Sequence, residues 1–182
     1  MIRIISGKWR GKKIQAPESL PVRPTTDRAK ESLFNWLSFR INFEGIKVLD
    51  LFAGTGNISY EFISRGAEKV YAVDADARCA DFVRKNFKLL KAENSIVRKL
   101  NLPAGLTEFA GPFDIIFADP PYNFENYAGL IESVTSGTLM GETSIFIVEH
   151  DGSLKPENNP YFMETRKYGK VHFTYFTKNM EE

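Results

Sequence analysis

The rhythm of apolar and polar positions changes near residue 46. Upstream the apolar residues are few and spaced. Arg3–Ile5 and Lys13–Gln15 read as two small strands around the turn Gly7-Lys8-Trp9-Arg10-Gly11. After Pro24, Thr25 or Thr26 is placed to cap a helix, and Asp27 suits its first turn. Ala29, Leu33, Trp36 and Leu37 then recur at helical spacing, and Gly45 follows that helix. From Ile46 the chain alternates between continuous apolar runs and amphipathic stretches. Ile46–Phe52, Lys69–Asp74, Ser95–Lys99, Phe113–Ala118 and Ser144–Glu149 read as strands covered on both faces. Between them, Ile58, Phe62 and Ile63 mark a helix ending near Gly66. Residues 76–92 form another, with Ala80, Val83, Phe87 and Leu90 on one side, and a weaker one covers about 126–136. Tyr161–Tyr168 and Val171–Phe176, split by Gly169-Lys170, predict a closing antiparallel hairpin.

Strands alternating with helices imply an α/β fold with a doubly wound, mostly parallel seven-stranded sheet, a C-terminal antiparallel hairpin and a short basic N-terminal extension. The expected division is an extension of residues 1–44 and a main domain of 45–182. In such sheets ligands gather at the carboxyl ends of the strands, near the topological switch. The first four strands of the main domain end at Asp50/Gly54, Asp74, Asn101 and Asp119, so these ends are expected to converge on one crevice.

Composition narrows the chemistry. At 182 residues, 43% hydrophobic and 26% charged, the chain suits one globular domain of ordinary size. No apolar run reaches the roughly 20 residues that span a bilayer, and the N-terminus has no apolar core of signal-peptide length, so a cytoplasmic protein is expected. A single cysteine, Cys79, excludes an internal disulfide and any zinc site built from cysteines. With His150 and His172 the only histidines, no metal is expected, and neither histidine reads as catalytic. The net charge of +1 conceals an asymmetry: residues 1–40 hold nine Lys and Arg against three acidic residues. A basic arm on a mildly acidic body points to a polyanionic partner, with solubilising surface charge as the plain alternative.

Asp50-Leu51-Phe52-Ala53-Gly54-Thr55-Gly56 follows a strand and precedes a helix, and Gly54 and Gly56 would let a ligand lie against the backbone. Asp74 ends the next strand 18 residues after Gly56, where an acidic side chain can bond both hydroxyls of an adenosine ribose. A dinucleotide calls for a third glycine, where Ser59 stands, and Asp50 would repel phosphate. S-adenosyl-L-methionine, cationic and without phosphate, fits better than NAD. Asn101 could bond the adenine amine, or be a plain loop asparagine. Asp119-Pro120-Pro121-Tyr122, at the end of the fourth strand, offers acceptors with few competing donors, stiffened by two prolines and flanked by an aromatic face. Such a turn can take the two hydrogens of an exocyclic amine at Asp119 and the Pro120 carbonyl while the base stacks on Tyr122. The plain alternative is a rigid turn.

These motifs resemble Rossmann-like class I S-adenosylmethionine-dependent methyltransferases that act on exocyclic amines. The strings Arg3-Ile4-Ile5-Ser6-Gly7-Lys8-Trp9-Arg10-Gly11-Lys12-Lys13-Ile14 and Arg23-Pro24-Thr25-Thr26-Asp27-Arg28-Ala29-Lys30-Glu31-Ser32-Leu33-Phe34-Asn35-Trp36-Leu37 are similar to the bacterial RsmD family of 16S rRNA guanine-N2 methyltransferases. The resemblance implies methylation of one guanine, with the assembled or assembling small ribosomal subunit as partner. It also implies that Asp50, Phe52, Gly54, Gly56, Asp74 and Asn101 line the cofactor, and that Asp119, Pro120, Pro121 and Tyr122 hold the base. Arg10, Arg23, Thr25, Thr26 and Arg28 would contact RNA or close the site. The chain departs from the family where an acidic residue is common at Asn101, and at Asn57-Ile58-Ser59-Tyr60, where small residues are usual. In the plain reading the two threonines only cap a helix, Arg28 pairs with Glu31 or Glu44, and Trp9 and Trp36 are packing residues. The amine trap alone does not separate guanine N2 from adenine N6 in DNA or RNA. A non-catalytic ribosome-assembly factor on the same fold is the reading from another class.

Overall fold

The computed structural model describes residues 1–21 and 25–179. Arg23, expected at the RNA, lies outside the described residues. The elements run β1 (Ile2–Arg3), β2 (Lys13–Ile14), α1 (Asp27–Ser38), β3 (Lys47–Leu51), α2 (Asn57–Ser64), β4 (Lys69–Asp74), α3 (Ala77–Leu89) and β5 (Ile96–Lys99). A 3₁₀ turn (Ala104–Glu108) leads to β6 (Phe113–Ala118), α4 (Tyr127–Thr135), β7 (Met140–His150), β8 (Phe162–Tyr168) and β9 (Val171–Thr177). The main sheet has seven strands in the order β5-β4-β3-β6-β7-β9-β8, and only the β7–β9 and β8–β9 pairings are antiparallel. The reversal of strand order between β3 and β6 is the switch point, so their carboxyl ends flank the crevice.

Alternation along the strands divides the core. Val48, Val70, Ile115, Phe117, Ile147, Phe173 and Tyr175 face α1 and α2. Leu49, Leu51, Val73, Ile116, Phe146, Val148 and Phe176 face α4 and the 3₁₀ turn. α3 closes a third cluster with Val83 and Phe87 against Tyr60 and Ala72, beneath Ile2, Ile4 and Ile14. Burial on both faces is why the strands read as unbroken apolar runs. Local signals set the helix starts: Thr26 caps α1 by accepting from the Ala29 amide at 3.3 Å, and Asp76 caps α3 by accepting from the Arg78 amide at 2.8 Å. Trp36 stacks on Tyr175 at 3.9 Å and donates its indole N–H to Glu164, which is a packing role.

Three elements depart from the sequence reading. β7 begins at Met140 rather than Ser144, because the Ser144 hydroxyl bonds both the Gly141 amide and the Phe113 carbonyl and carries the ladder across an irregular register beside β6. The 3₁₀ turn has no apolar periodicity to announce it. The first hairpin pairs Ile2 with Ile14 and Arg3 with Lys13, one residue earlier than expected. The amides of Ile5 and Ser6 instead donate to the carboxylate of Glu61 on α2, at 2.9 and 3.0 Å.

That diversion fastens the arm to the fold. The Lys8 amide donates to the Ser64 carbonyl, and the Ser64 hydroxyl bridges the Trp9 amide and the Ser6 carbonyl. Gly7 makes this approach possible: its φ is +81°, and a Cβ there would lie 1.8 Å from the Ser64 carbonyl oxygen. Gly11 shares that φ but has open space around it. Gly7→Ala is therefore expected to cost about 2–3 kcal/mol, against about 1 kcal/mol for Gly11→Ala, where only the backbone conformation is penalised. Denaturant unfolding measures the difference. Hydrogen exchange should show the Ile5, Ser6, Lys8 and Trp9 amides losing protection in the first variant and keeping it in the second.

Candidate active site

The crevice is built by the ends of β3, β4, β6 and β7. Beyond β3 the backbone turns through Phe52 at φ 61°, Gly54 at φ 54° and Gly56 at φ 78°, then enters α2. A Cβ on Gly56 would meet the Tyr60 ring at 2.7 Å, so glycine is required there. Three amides of this turn are already taken. The Ala53 amide bonds the Val73 carbonyl, the Gly56 amide bonds the Ala53 carbonyl, and the Gly54 amide bonds the Asp74 carboxylate at 2.7 Å. A phosphate-binding turn needs such amides free. This one is preorganised by Asp74, whose other oxygen accepts from the Asp76 amide at 2.8 Å, while the residue stays half-buried.

Asp50 is placed differently from its neighbours. Its side chain points beneath α2, is 1% exposed, and accepts from the Ser59 hydroxyl at 2.5 Å. Ser59 thus occupies the position of a third glycine and uses it to hold a carboxyl. Burial pushes Asp50 up to about 7, against the Ser59 hydrogen bond, with Asp74 adding to the rise. Asn101 is exposed beyond β5.

On the other side of the switch, Asp119 follows Ala118, and its amide reaches the Leu51 carbonyl at 3.3 Å, which ties the two strand ends together. The Pro121 carbonyl accepts from the Phe124 amide at 2.8 Å and closes the turn. The Pro120 carbonyl accepts no backbone hydrogen bond among the described residues. Tyr122 stands at the tip, 90% exposed. Phe124 packs edge-on against both Phe52 and Tyr127, each at 5.3 Å, so an aromatic wall joins the two loops. The sequence reading passed over Phe124 and Tyr127. Their signal is an aromatic cluster right after the proline turn.

Glu149 was also passed over. It ends the fifth parallel-sheet strand as Asp119 ends the fourth, and the register that sets Ala118 beside Val148 brings Glu149 to the level of Asp119. Burial lifts Glu149 to about 7, opposed by a hydrogen bond from Thr25. Burial, then the charges of Glu149 and Asp50, hold Asp119 well above the usual carboxylate range. The crevice therefore gathers three carboxyls that resist ionisation.

The arm residues separate. Thr25 is buried, with its hydroxyl donating to Glu149 at 2.9 Å, and Thr26 is the exposed cap of α1. Arg10 and Arg28 are exposed, and Glu31 pairs with Arg3 rather than Arg28. Behind them runs a buried polar chain. Asn57 donates to the Thr25 carbonyl and accepts from Lys30, and Lys30 also donates to the Arg3 carbonyl and lies 3.6 Å from Glu61.

The family model for conserved hypothetical protein 95 matches residues 2–177. The ribosomal RNA small subunit methyltransferase D of Escherichia coli K12 is 38% identical over 149 residues, covering 80% of this chain and 73% of that one. Its namesake in Haemophilus influenzae is 34% identical over 165 residues, covering 86% and 84%. The chain belongs to this RsmD-like family. The solved structure of Escherichia coli yhhF superposes with a TM-score of 0.83 at 31% identity, covering 96% of each chain. A ribosomal protein L11 methylase from Lactobacillus delbrueckii, at 17% identity and TM-score 0.68, shares the fold. The RsmD-like match spans the basic hairpin as well as the sheet, and the hairpin is one folded piece with the crevice.

The carboxyl cluster gives a pH signature. A carboxyl raised in the folded state binds more protons than its unfolded counterpart between the two values, so stability falls as pH rises through that window. For Asp50 the window runs from 3.8 to about 7. His150 opposes this, since burial lowers it to about 4 and its share rises with pH up to 6.5. Three carboxyls outweigh one imidazole, so the RsmD-like protein is expected to be less stable at pH 7 than at pH 5. Asp50→Asn should flatten the slope by about one proton, or about 1.4 kcal/mol per pH unit, in denaturant midpoints across pH 4.5–6.5.

Proposed function

We propose that the chain transfers a methyl group from S-adenosyl-L-methionine to the exocyclic N2 amine of a guanine in 16S rRNA, on the small ribosomal subunit or its assembly intermediate, in the cytoplasm. The observation that carries this reading is the acceptor turn: a half-buried carboxyl at Asp119, a Pro120 carbonyl that accepts no backbone hydrogen bond among the described residues and a Tyr122 ring 90% exposed, set across the switch from a glycine loop whose Ala53, Gly54 and Gly56 amides are engaged. The names of the relatives support its coarser part, methylation of small-subunit ribosomal RNA.

The residues fit such a cofactor better than a dinucleotide. The loop offers glycine surface and carboxylates, and its Ala53, Gly54 and Gly56 amides are engaged within the fold rather than turned to a phosphate. Asp74 presents a half-buried carboxylate to a ribose, Asn101 reaches the adenine edge, and Phe52 forms the wall. Asp50, beneath the turn, provides negative charge that a cation above would draw out by favouring its ionised form. The cofactor supplies an electrophilic methyl group on a sulfonium.

Protein chemistry at the amine is a matter of position. Asp119 and the Pro120 carbonyl accept the two amine hydrogens and turn the nitrogen lone pair out of conjugation with the base. Pro121 stiffens the turn, and Tyr122 stacks on the ring, worth about 1–3 kcal/mol per base. Holding both reactants in line can supply up to about 7–11 kcal/mol of the barrier. Residues 1–44 serve as the RNA-facing extension of a methyltransferase domain, 45–182. Arg10 and Arg28 contact phosphates, Arg23 joins them, and Thr25 and Thr26 set the approach to the base.

Incubation with labelled S-adenosylmethionine and purified small subunits, followed by nucleoside analysis, should give N2-methylguanosine. N6-methyladenosine would move the target to adenine, and binding of cofactor without label would make the protein an assembly factor. Asp119→Ala should reduce transfer by at least about a thousandfold while cofactor affinity, read by calorimetry, changes less than about threefold. Arg10→Glu with Arg28→Glu should weaken RNA binding and lower its salt slope by about two. An unchanged slope would remove both from the interface.

A further inference from the structure

The buried chain behind the crevice ends on Glu149, a residue the proposed chemistry does not yet use. Glu149 is 8% exposed at the carboxyl end of β7, one strand over from Asp119. On its other side β9 offers only Phe173 at the paired position. Its one hydrogen-bonded side-chain partner among the described residues is Thr25, whose backbone carbonyl is held in turn by Asn57 at 3.0 Å. Asn57 and Glu61 on α2 share the Lys30 ammonium, and Glu61 holds the Ile5 and Ser6 amides of the hairpin. A continuous set of buried polar contacts thus runs from the basic arm to the strand end beside the acceptor turn.

We infer that Glu149 is a positioning residue for methyl transfer: it seats Thr25 against the acceptor turn and stands as a second carboxyl beside Asp119, where the proton leaving the amine is received. The inference rests on the amine-methylation reading above. In the reaction the amine lone pair forms the new bond to the methyl carbon while the carbon–sulfur bond breaks, its electron pair staying on sulfur. The nitrogen then sheds one proton to Asp119, and the proton passes on to solvent. Nothing is oxidised or reduced.

A lone carboxylate exposed to water is a weak base. One that faces a second carboxylate in an apolar setting holds a proton more firmly, because two like charges at close range are disfavoured. Among the described residues, the groups facing this pair from each packed element are few. β3 contributes Asp50, the segment before α1 contributes the Thr25 hydroxyl, and α4 contributes Tyr127, a phenol raised by its own burial and by Asp151, Asp119 and Glu149. Glu149 therefore sets how strongly Asp119 holds a proton, and through Thr25 it fixes where the arm enters. Each role needs the residue at this strand end.

Glu149→Gln separates the two roles, since the amide oxygen still accepts from Thr25 while the charge is gone. In small-subunit methylation the variant should keep KM within about twofold, lose about tenfold in kcat, and show the acid limb of its pH–rate profile at lower pH by about one unit. Thr25→Val, which keeps both carboxyls, should leave that limb in place and raise KM. Glu149→Asp, charged but one methylene shorter, should keep the limb and copy the KM of Thr25→Val. Carbon-detected NMR titration of the Asp119 carboxyl gives a readout that needs no turnover, and the Asp119 midpoint should fall in Glu149→Gln. A Glu149→Gln protein with wild-type kcat, pH profile and Asp119 titration would overturn the inference and leave Glu149 a mere anchor for Thr25. If the Asp119 midpoint shifts while the wild-type protein methylates no subunit, the failure belongs to the proposed function and the carboxyl pairing stands.

Discussion

The fold turns on a cation with no water around it. Lys30 has no exposed surface, and its ammonium must be paired or it would cost several kcal/mol. Two of its donors are spent on the Arg3 carbonyl and the Asn57 side-chain oxygen, each at 2.7 Å, and its charge faces Glu61 at 3.6 Å. Those three partners lie in β1, at the start of α2 and in its middle, while Lys30 itself belongs to α1. One buried group therefore sets the relative places of the hairpin, the first helix and the helix that leaves the glycine turn. Glu61 completes the joint by taking the two hairpin amides that leave the strand ladder and the Arg65 guanidinium at 2.9 Å.

That joint explains why α2 is polar on a face that would otherwise meet solvent. Asn57, Ser59, Glu61 and Ser64 are all buried, each with a partner: Asn57 with Thr25 and Lys30, Ser59 with Asp50, Glu61 with Lys30 and the Ile5 and Ser6 amides, and Ser64 with Ser6 and Trp9 of the hairpin turn. A helix covered on every side usually carries apolar residues throughout. Here one side meets the sheet through Ile58 and Phe62, and the rest meets backbone amides and carbonyls of the arm, which demand polar partners. The basic extension is thus welded to the domain, and charge carried on its tip at Arg10 is presented from a fixed base.

This is also where the sequence could be read and where it could not. The strands were legible as continuous apolar runs bounded by glycine or polar residues, and the helices as amphipathic stretches between them. The order β5-β4-β3-β6-β7-β9-β8 was not legible, because it depends on long-range pairing; the alternation of strands and helices implied only a doubly wound sheet with a crevice at its strand ends. Asp74 and the proline turn could be found because their chemistry sits at strand ends. The buried chain escaped because lysine and glutamate read as solvent-facing. A signal was nonetheless present: Lys30 stands at helical spacing from Leu33, Phe34 and Leu37, on the stripe that α1 buries. Glu149 lay at the end of an apolar strand, like Asp119, and the same strand-end reasoning reaches it. The first hairpin shifted by a residue because its register depends on Glu61, some 55 positions away, and no local pattern carries that.

The crevice combines features that stability alone would not retain. Asp50, Asp119 and Glu149 are all held with their carboxyls resisting ionisation, and each would be easier to bury as an amide. The arm does not relieve them, since its buried cation is spent on Glu61 and Asn57. In the proposed reaction Asp50 would be relieved by positive charge arriving over the glycine turn, and Asp119 would receive the proton arriving from the base. On the proposed chemistry the site's unfavourable charge is answered by the ligands it would work on: a cationic donor on the β3 side and an amine on the β6 side, with the welded arm holding the approach between them.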